Sequence, residues 1–191
     1  MVLPIVKYGH PALRQRGAAV TVVTPEIRQL IADMLETMLA ARGVGLAAQQ
    51  VAQALQVAVI DVRGVTDRPS TLLVAGQPTS PEALMPLVLL NPVVTPINAA
   101  VIGPEGCLSF PELYADISRP ESVDVEALNE HGQTVRFRCG GLLARAIQHE
   151  LDHLRGVLFI DRMSRARKEE LREELDELQA ETKARLANLA R

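Results

Sequence analysis

The sequence predicts an α+β domain in which small antiparallel or mixed β-sheets pack around a central helix with an HExxH motif, between an N-terminal and a C-terminal helix. Three observations support this fold class. Apolar residues recur at helical spacing over residues 27–39. Short apolar runs of strand type follow between residues 55 and 139. The remaining chain carries two further helical patterns, the first apolar nearly all round and the second dense in charge.

The N-terminal helix is predicted to begin after Thr24. Thr24 suits the N-cap because its hydroxyl can accept a bond from a free backbone N–H, and Pro25 suits the first turn because it has no N–H to leave unpaired. Gly43 is the expected end of the helix. One face is apolar and consists of Ile27, Leu30, Ile31, Met34, Leu35, Met38 and Leu39.

The predicted strands lie on both sides of a segment with a different composition. They are LQVAVIDV, LVLLNPVV, INAAVI, SVDVEAL and TVRFRC, and a turn over residues 129–132 joins the last two. Residues 63–86 are rich in Pro, Gly, Ser and Thr, which predicts a loop insertion. We therefore expect one catalytic domain over residues 1–163 that contains this insertion, followed by a charged helical extension over residues 164–191.

Composition and charge exclude several classes of protein. Hydrophobic residues make up 48% of the chain, enough for a core, and the formal charge of −3 argues against a basic nucleic-acid-binding surface and a direct role on DNA. No apolar run reaches the length of about 18 residues that a membrane span needs, and MVLPIVKYGHPALR lacks the apolar core of a secretory signal. Two cysteines are too few for a disulfide framework. We expect a cytoplasmic protein without a membrane partner.

The run AIQHELDHLRG (146–156) suggests a metal site. His149 and His153 are four residues apart, so a helix places both imidazoles on one face, close enough to hold one ion. Glu150 lies about 100° away around the helix and can act as a general base without ligating the metal. The alternative is an ordinary solvated helix face. The flanking residues are apolar nearly all round, however, and burying these polar groups costs several kcal/mol unless they are paired or bind a metal.

A third ligand is needed, and Cys107 in PEGCLSFP is the candidate. Metalloproteases with HExxH usually take a third His or Glu from further along the chain. No histidine follows His153, and the acidic residues that follow it lie mostly in the charged C-terminal segment. A lone cysteine is more often a small buried residue than a ligand, and Cys139 is interpreted in that way.

Three segments in order resemble the motifs of the peptide deformylase family. They are GVGLAAQQ (43–50), EGCLS (105–109) and QHELDH (148–153). The family motifs are G-x-G-L-A-A-x-Q, E-G-C-L-S and Q-H-E-x-D-H, and every fixed position is present. The resemblance covers most of the chain except residues 63–86 and the C-terminal extension.

The resemblance implies a catalytic centre. Cys107, His149 and His153 would bind one divalent ion, Fe(II) above all, with Zn, Ni or Co able to substitute. Glu150 would act as base and then acid, while the Gln50 amide and the Leu108 backbone N–H would stabilise the oxyanion. The implied reaction removes the N-formyl group from the initiator methionine of nascent bacterial polypeptides in the cytosol and releases formate.

The resemblance also implies a substrate cleft. Its expected residues are Val44, Gly45, Gly106, Leu142 and Ala146, together with the apolar edge of His149. Arg145 occupies a position that is often aliphatic in the family, and we expect its stem to line the pocket while its guanidinium reaches water. Glu105 and Arg119 match positions that often pair.

Two other functions remain open at this point. One is a general HExxH metalloendopeptidase, which would need an extended cleft and a His or Glu as third ligand. The other is a non-catalytic metal-binding module that docks on the ribosome. The C-terminal helix has two possible roles of its own. By resemblance to related enzymes, it would dock on the ribosome near the tunnel exit, with its basic ends meeting rRNA phosphate. Its alternative role is simply to pack its first turns on the domain.

Overall fold

The computed structural model describes residues 1–189, so Ala190 and Arg191 of the predicted extension lie outside the described residues. The helices are α1 (Pro25–Ala40), α2 (Gly141–Leu154), α3 (Arg165–Glu170) and α4 (Arg172–Leu189). The strands are β1 (Gly45–Ala47), β2 (Val57–Ile60), β3 (Ser70–Val74), β4 (Gln77–Pro78), β5 (Leu87–Pro96), β6 (Ala100–Cys107), β7 (Phe110–Pro120), β8 (Ser122–Leu128) and β9 (Thr134–Gly140). The predicted α+β class is confirmed.

Two antiparallel sheets surround α2. The larger has seven strands in the order β1-β2-β5-β8-β9-β3-β4, and the smaller is the β6–β7 hairpin. A bulge interrupts the β5–β8 register between Leu90 and Val93. There the Asn91 side chain bonds both backbone groups of Val20, which joins the N-terminal segment to the sheet.

The prediction of an unstructured loop over residues 63–86 was wrong. This segment forms the β3–β4 hairpin, and β3 pairs antiparallel with β9 at the edge of the large sheet. Leu72 explains the pairing, because it is 3% exposed and belongs to the core between the sheet and α2. Pro, Gly and Ser residues occupy the turns around this hairpin, and their frequency obscured a short strand.

Strand β7 was not predicted, although it follows the β6 prediction directly. Its residues alternate between exposed and buried over most of its length, which is the pattern of a strand with one covered face. Proline near each end and acidic residues on the exposed face weaken the apolar signal in its sequence.

The termini of the helices follow the sequence signals in part. Thr24 caps α1 as predicted and accepts a 3.4 Å bond from the Ile27 N–H. The helix ends at Ala40 rather than at Gly43, and Arg42 adopts a positive φ of 54°. The predicted C-terminal helix divides into α3 and α4 at Leu171, whose side chain is 6% exposed. No helix within residues 1–189 is long and apolar enough to cross a membrane.

Candidate active site

Cys107, His149 and His153 converge as predicted for a metal site. One potential ligand atom from each lies within 4.8 Å of the other two. The two imidazoles come from successive turns of α2, and their ring centroids are 5.0 Å apart. Cys107 is the last residue of β6, where the register with β7 shifts, and its Sγ lies 3.3 Å from His153 Nε2. The strand end and the helix face together form the candidate centre.

A buried charge network orients the first of these histidines. His149 Nδ1 lies 3.0 Å from Glu105 Oε2, which leaves its Nε2 available to a metal. Glu105 also accepts a 2.9 Å bond from Arg119, and Arg119 donates a second bond of 2.8 Å to Asp152. Glu105 and Arg119 are 6% and 3% exposed. The expected Glu105–Arg119 pair is confirmed, and it is buried rather than superficial.

The donor set and an unpaired atom beside it fit a bound transition metal. One thiolate sulfur and two imidazole nitrogens suit zinc, iron or similar ions, and three ligands leave a position for substrate. Within residues 1–189, Glu150 Oε2 is buried beside these ligands without a hydrogen-bond partner. Such unpaired groups are unusual in folded proteins and concentrate at functional sites.

Burial sets the direction of the pKa shift for Glu150 and His153 in this centre. It raises the pKa of Glu150 to about 7, a value suited to proton transfer near neutral pH. It also lowers the pKa of His153, and the neighbouring His149 lowers it further. For His149 the effect of burial is opposed by Cys107 and Glu105, which raise its pKa.

Gln50 lies beside the triad, where its position is fixed by three contacts. Its Oε1 accepts a 2.9 Å bond from the Ala47 N–H, and its Nε2 lies 3.3 Å from Ser109 Oγ and 3.5 Å from Cys107 Sγ. The carbonyl of the neighbouring Leu108 accepts a 2.7 Å bond from Lys7 Nζ. Lys7 was not singled out in the sequence, and no spacing rule links it to a residue a hundred positions away.

A cleft of about 520 Å³ adjoins these residues. Each expected substrate residue lines it, namely Val44, Gly45, Gly106, Leu142 and Ala146, and so do Gln50, Cys107, Leu108, His149 and Glu150. Gly45 has a specific reason to lack a side chain, because a Cβ there would collide with the Glu150 carboxylate. The cleft therefore brings the candidate base and the candidate ligands to one surface.

Arg145 lines the cleft as predicted, but the prediction for its guanidinium was wrong. Its guanidinium does not reach water, since the residue is 8% exposed and donates bonds to Glu105 Oε1 and to the carbonyls of Ile117 and Val101 at 2.8–2.9 Å. Gly103 leaves room for it, because a Cβ there would lie 3.0 Å from the guanidinium. Arg145 thus joins α2 to the β6–β7 hairpin, and the hairpin supplied acceptors that the sequence did not reveal.

Cys139 is the small buried residue that was predicted. It is 1% exposed and lies in the core between the large sheet and α2, and burial raises the pKa of its thiol to about 12. It plays no part in the candidate centre.

Comparison with known proteins agrees with this geometry. A family model described as polypeptide deformylase matches residues 2–169. A peptide deformylase from Methylacidiphilum infernorum is 45% identical over 178 residues, which cover 93% of each chain. The crystal structure of peptide deformylase from Thermus thermophilus has a TM-score of 0.78 and 36% identity, over 95% of this chain and 99% of that one.

A second solved structure extends the comparison. A peptide deformylase from Synechococcus elongatus, crystallised in complex with actinonin, has a TM-score of 0.74 and 39% identity, over 94% of this chain and 85% of that one. The family model spans α2, the β6–β7 hairpin and the strands before them. On the family model, the sequence identity and the shared fold, this chain belongs to the polypeptide deformylase family.

Proposed function

We propose that the cleft hydrolyses N-formyl-methionyl peptides with Glu150 as general base and Gln50 and Leu108 as oxyanion donors. Peptide deformylases remove the formyl group from an N-terminal methionine, and this chain is an enzyme of that kind. The observation that carries the residue assignment is the convergence of Glu150 and Gln50 on the Cys107, His149 and His153 triad.

Cys107, His149 and His153 would hold the catalytic ion. When bound, a divalent metal supplies Lewis-acid chemistry that makes water a nucleophile near neutral pH. Glu150 accepts the proton of the attacking water and then delivers it to the departing amine. The Gln50 amide and the Leu108 N–H donate to the oxygen that gains negative charge, and each such donor is typically worth about a hundredfold or more in rate.

The substrate is held by backbone and by apolar side chains. The segment Gly43–Val44–Gly45 lines the cleft and offers backbone groups to an extended peptide, which would add to it as a strand. The methionine side chain would then lie against Val44, Leu142 and Ala146. Glycine at position 45 keeps this path clear beside Glu150.

Glu150→Gln tests the assignment of the base. The variant should retain the metal and lose turnover by about a hundredfold or more, because the amide keeps the shape of the side chain and cannot accept the proton. Metal content and release of formate from formyl-Met-Ala-Ser would be measured on the same sample. Near-normal turnover in the metal-loaded variant would show that Glu150 is not the base. If the native protein cleaved the peptide backbone without releasing formate, it would be an endopeptidase instead.

Fe(II) is the proposed physiological ion, and Zn, Ni or Co would substitute. A thiolate ligand is the softest and most easily oxidised of the three. Fe(II) is redox-active and drives this oxidation, so an Fe(II) form should lose activity in air faster than a Ni(II) or Zn(II) form. Oxidised Cys107 would be detected by mass spectrometry. Equal rates of loss for all three ions would contradict this.

Residues 1–163 are proposed as the catalytic unit and residues 164–191 as an extension of it. Leu171 and Leu175 are buried in one cluster with Leu13 and Phe110, so the first turns of the extension pack on the domain. The remaining residues of α4 are mostly exposed. This helix is the proposed contact with the ribosome, where nascent formyl-Met chains emerge in the bacterial cytosol.

Truncation before Thr182 tests the ribosome contact. It removes only the last turns of α4 and should leave turnover of formyl peptides intact. If α4 docks on the ribosome through its basic end, co-sedimentation with ribosomes at low salt should weaken, since contacts to phosphate are steeply salt-dependent. Equal co-sedimentation of the truncated and the full-length protein would contradict the docking role.

A further inference from the structure

Arg42 is a basic side chain on the wall of the cleft, directly before the Gly43–Val44–Gly45 segment. Lys7, Arg68 and Glu112 also line the cleft. Arg145 and Glu105 bond directly to each other, so their charges offset.

Three of these cations have no acidic partner. Among residues 1–189, none of the ion pairs involves Lys7, Arg42 or Arg68. Lys7 Nζ and the Arg68 guanidinium each bond a backbone carbonyl, those of Leu108 and Pro104, at 2.7 and 3.0 Å. A carbonyl satisfies a donor without neutralising its charge. Arg42 is exposed on the cleft wall.

Arg42 lies where a bound peptide would leave the centre. Gly45 lies against Glu150, so the chain from Gly45 back through Gly43 to Arg42 leads away from the candidate base. Lys7 lies nearer the centre, because it bonds the carbonyl of Leu108, the residue after Cys107.

The spacing of the chain gives the position on the substrate. An extended chain rises about 3.3 Å per residue, so Arg42 is at most about 10 Å from Gly45. A peptide with its formyl group beside Glu150 and its methionine beside Val44 has the same rise. Its second and third residues then pass Gly43 and come within reach of the long Arg42 side chain, whose backbone turns at a φ of 54°.

We infer that Arg42 selects formyl-methionyl substrates with an acidic side chain at the second or third residue. This inference rests on the proposed function and names the substrate class of the same cleft. A carboxylate there would meet a guanidinium without an acidic partner, whereas a lysine would be repelled by the same charge. Arg42 is exposed, so the expected preference is about twofold to fivefold at low ionic strength.

The test compares four peptides, formyl-Met-Asp-Ala, formyl-Met-Ala-Asp and their lysine counterparts, with formyl-Met-Ala-Ala as the neutral reference. The ratio of kcat/KM between acidic and basic peptides should exceed one at low salt, mainly through KM, and fall towards one at about 1 M salt, where the screening length is only about 3 Å. Affinities of the corresponding labelled peptides without the formyl group give the same comparison independently of turnover.

Arg42→Glu should invert the preference, while Arg28→Glu should leave it unchanged. Arg28 is exposed on α1, lies outside the cleft and gives the same change in net charge. If the native protein turns over the neutral peptide but its ratio of kcat/KM between acidic and basic peptides is near one, the inference is wrong and the proposed function is unaffected. Absence of turnover for every formyl peptide would refute the proposed function instead. A ratio that Arg28→Glu inverts equally would assign the effect to net charge and overturn the role of Arg42.

Discussion

Glu105 lies in the middle of the buried charge network beside the centre. Its carboxylate bonds Arg119, Arg145 and His149 while 6% of the residue is exposed. Burial alone would raise the pKa of Glu105, but His149 and Arg119 hold it well below the ordinary value. A buried carboxylate stays charged only when it is paired in this way. The network therefore connects the orientation of His149 to the packing of the hairpin on α2.

Arg145→Leu should destabilise the fold by about 2–3 kcal/mol, because it removes a donor from the buried Ile117 carbonyl, from the Val101 carbonyl and from one side of Glu105. The matched control is Arg136→Leu, which removes an exposed pair with Glu126 and should not change the free energy of unfolding measurably. Chemical denaturation of both variants measures the difference. Equal stability of the two variants would contradict a structural role for the Arg145 bonds.

Val44→Trp should raise KM for formyl-Met peptides much more than it lowers stability, because its side chain lines the cleft and added volume would collide with the substrate. Ala146→Phe should act in the same way, since Ala146 also lines the cleft. Ile102→Trp is the control, since Ile102 is 75% exposed and lies outside the cleft. Thermal unfolding is measured beside the kinetics. If stability collapses while the remaining folded protein binds normally, the two positions belong to the core.

At the scale of elements, α2 combines two roles that usually exclude each other. From Leu142 onward, every residue of the helix is buried, including His149, Glu150, Asp152 and His153. The large sheet covers one side and the β6–β7 hairpin with its charge network covers another. The ligands are thus reached from the cleft, while the apolar faces of the helix contribute to the core.

Leu175→Ala should lower the free energy of unfolding by about 2–4 kcal/mol. Leu175 packs α4 into the cluster around Phe110 and Phe159, and the shorter side chain would leave a cavity there. Leu189→Ala is the matched control, because Leu189 is 78% exposed on the same helix. The two variants would be compared by denaturation in urea. A similar loss from both would mean that packing on the domain extends along the whole of α4.

At the scale of the whole molecule, the N-terminal segment joins the two ends of the fold. Arg14 bonds the Asp161 carboxylate just beyond α2, and the Gly17 N–H bonds the carbonyl of Leu154 at 2.9 Å. Gly9 packs against the backbone of Gln179 in α4. Residues far apart in sequence are thereby held around the same helix.

The Arg14–Asp161 pair should make stability depend on pH in the acid range. Burial favours a higher pKa for Asp161, but Arg14 and the Leu158 N–H outweigh it and hold the pKa below its ordinary value. A group with a lowered pKa stabilises the fold fully above its unfolded pKa of about 4, and this is lost as pH falls through the folded value. Arg14→Gln should therefore be less stable than the native protein at neutral pH.

The difference in unfolding free energy between the native protein and Arg14→Gln should decrease as pH falls below about 4. Arg16→Gln is the control, because Arg16 is exposed and forms no ion pair among residues 1–189. Unfolding free energies across the acid range measure both differences. A gap of constant size at every pH would exclude the Asp161 carboxylate as the cause.

The sequence by itself determined the elements whose signals are local. The Thr24 cap, the apolar face of α1, the turn over residues 129–132 and the apolar sides of α2 depend on neighbours within a few positions, and each was predicted. The spacing of His149 and His153 placed them on one helix face for the same reason. Three short motifs in order then indicated the family, which the comparisons confirmed.

Only the tertiary structure decided what depends on distant partners. The predicted insertion contains a strand because Leu72 is buried there and β3 pairs with the edge of β9. The Arg145 guanidinium is buried because the β6–β7 hairpin supplies its acceptors. Lys7 reached the cleft through a carbonyl 101 positions away. Local propensity carries no information on such contacts, since the free energy of burying a strand or a charge depends on the surface that covers it.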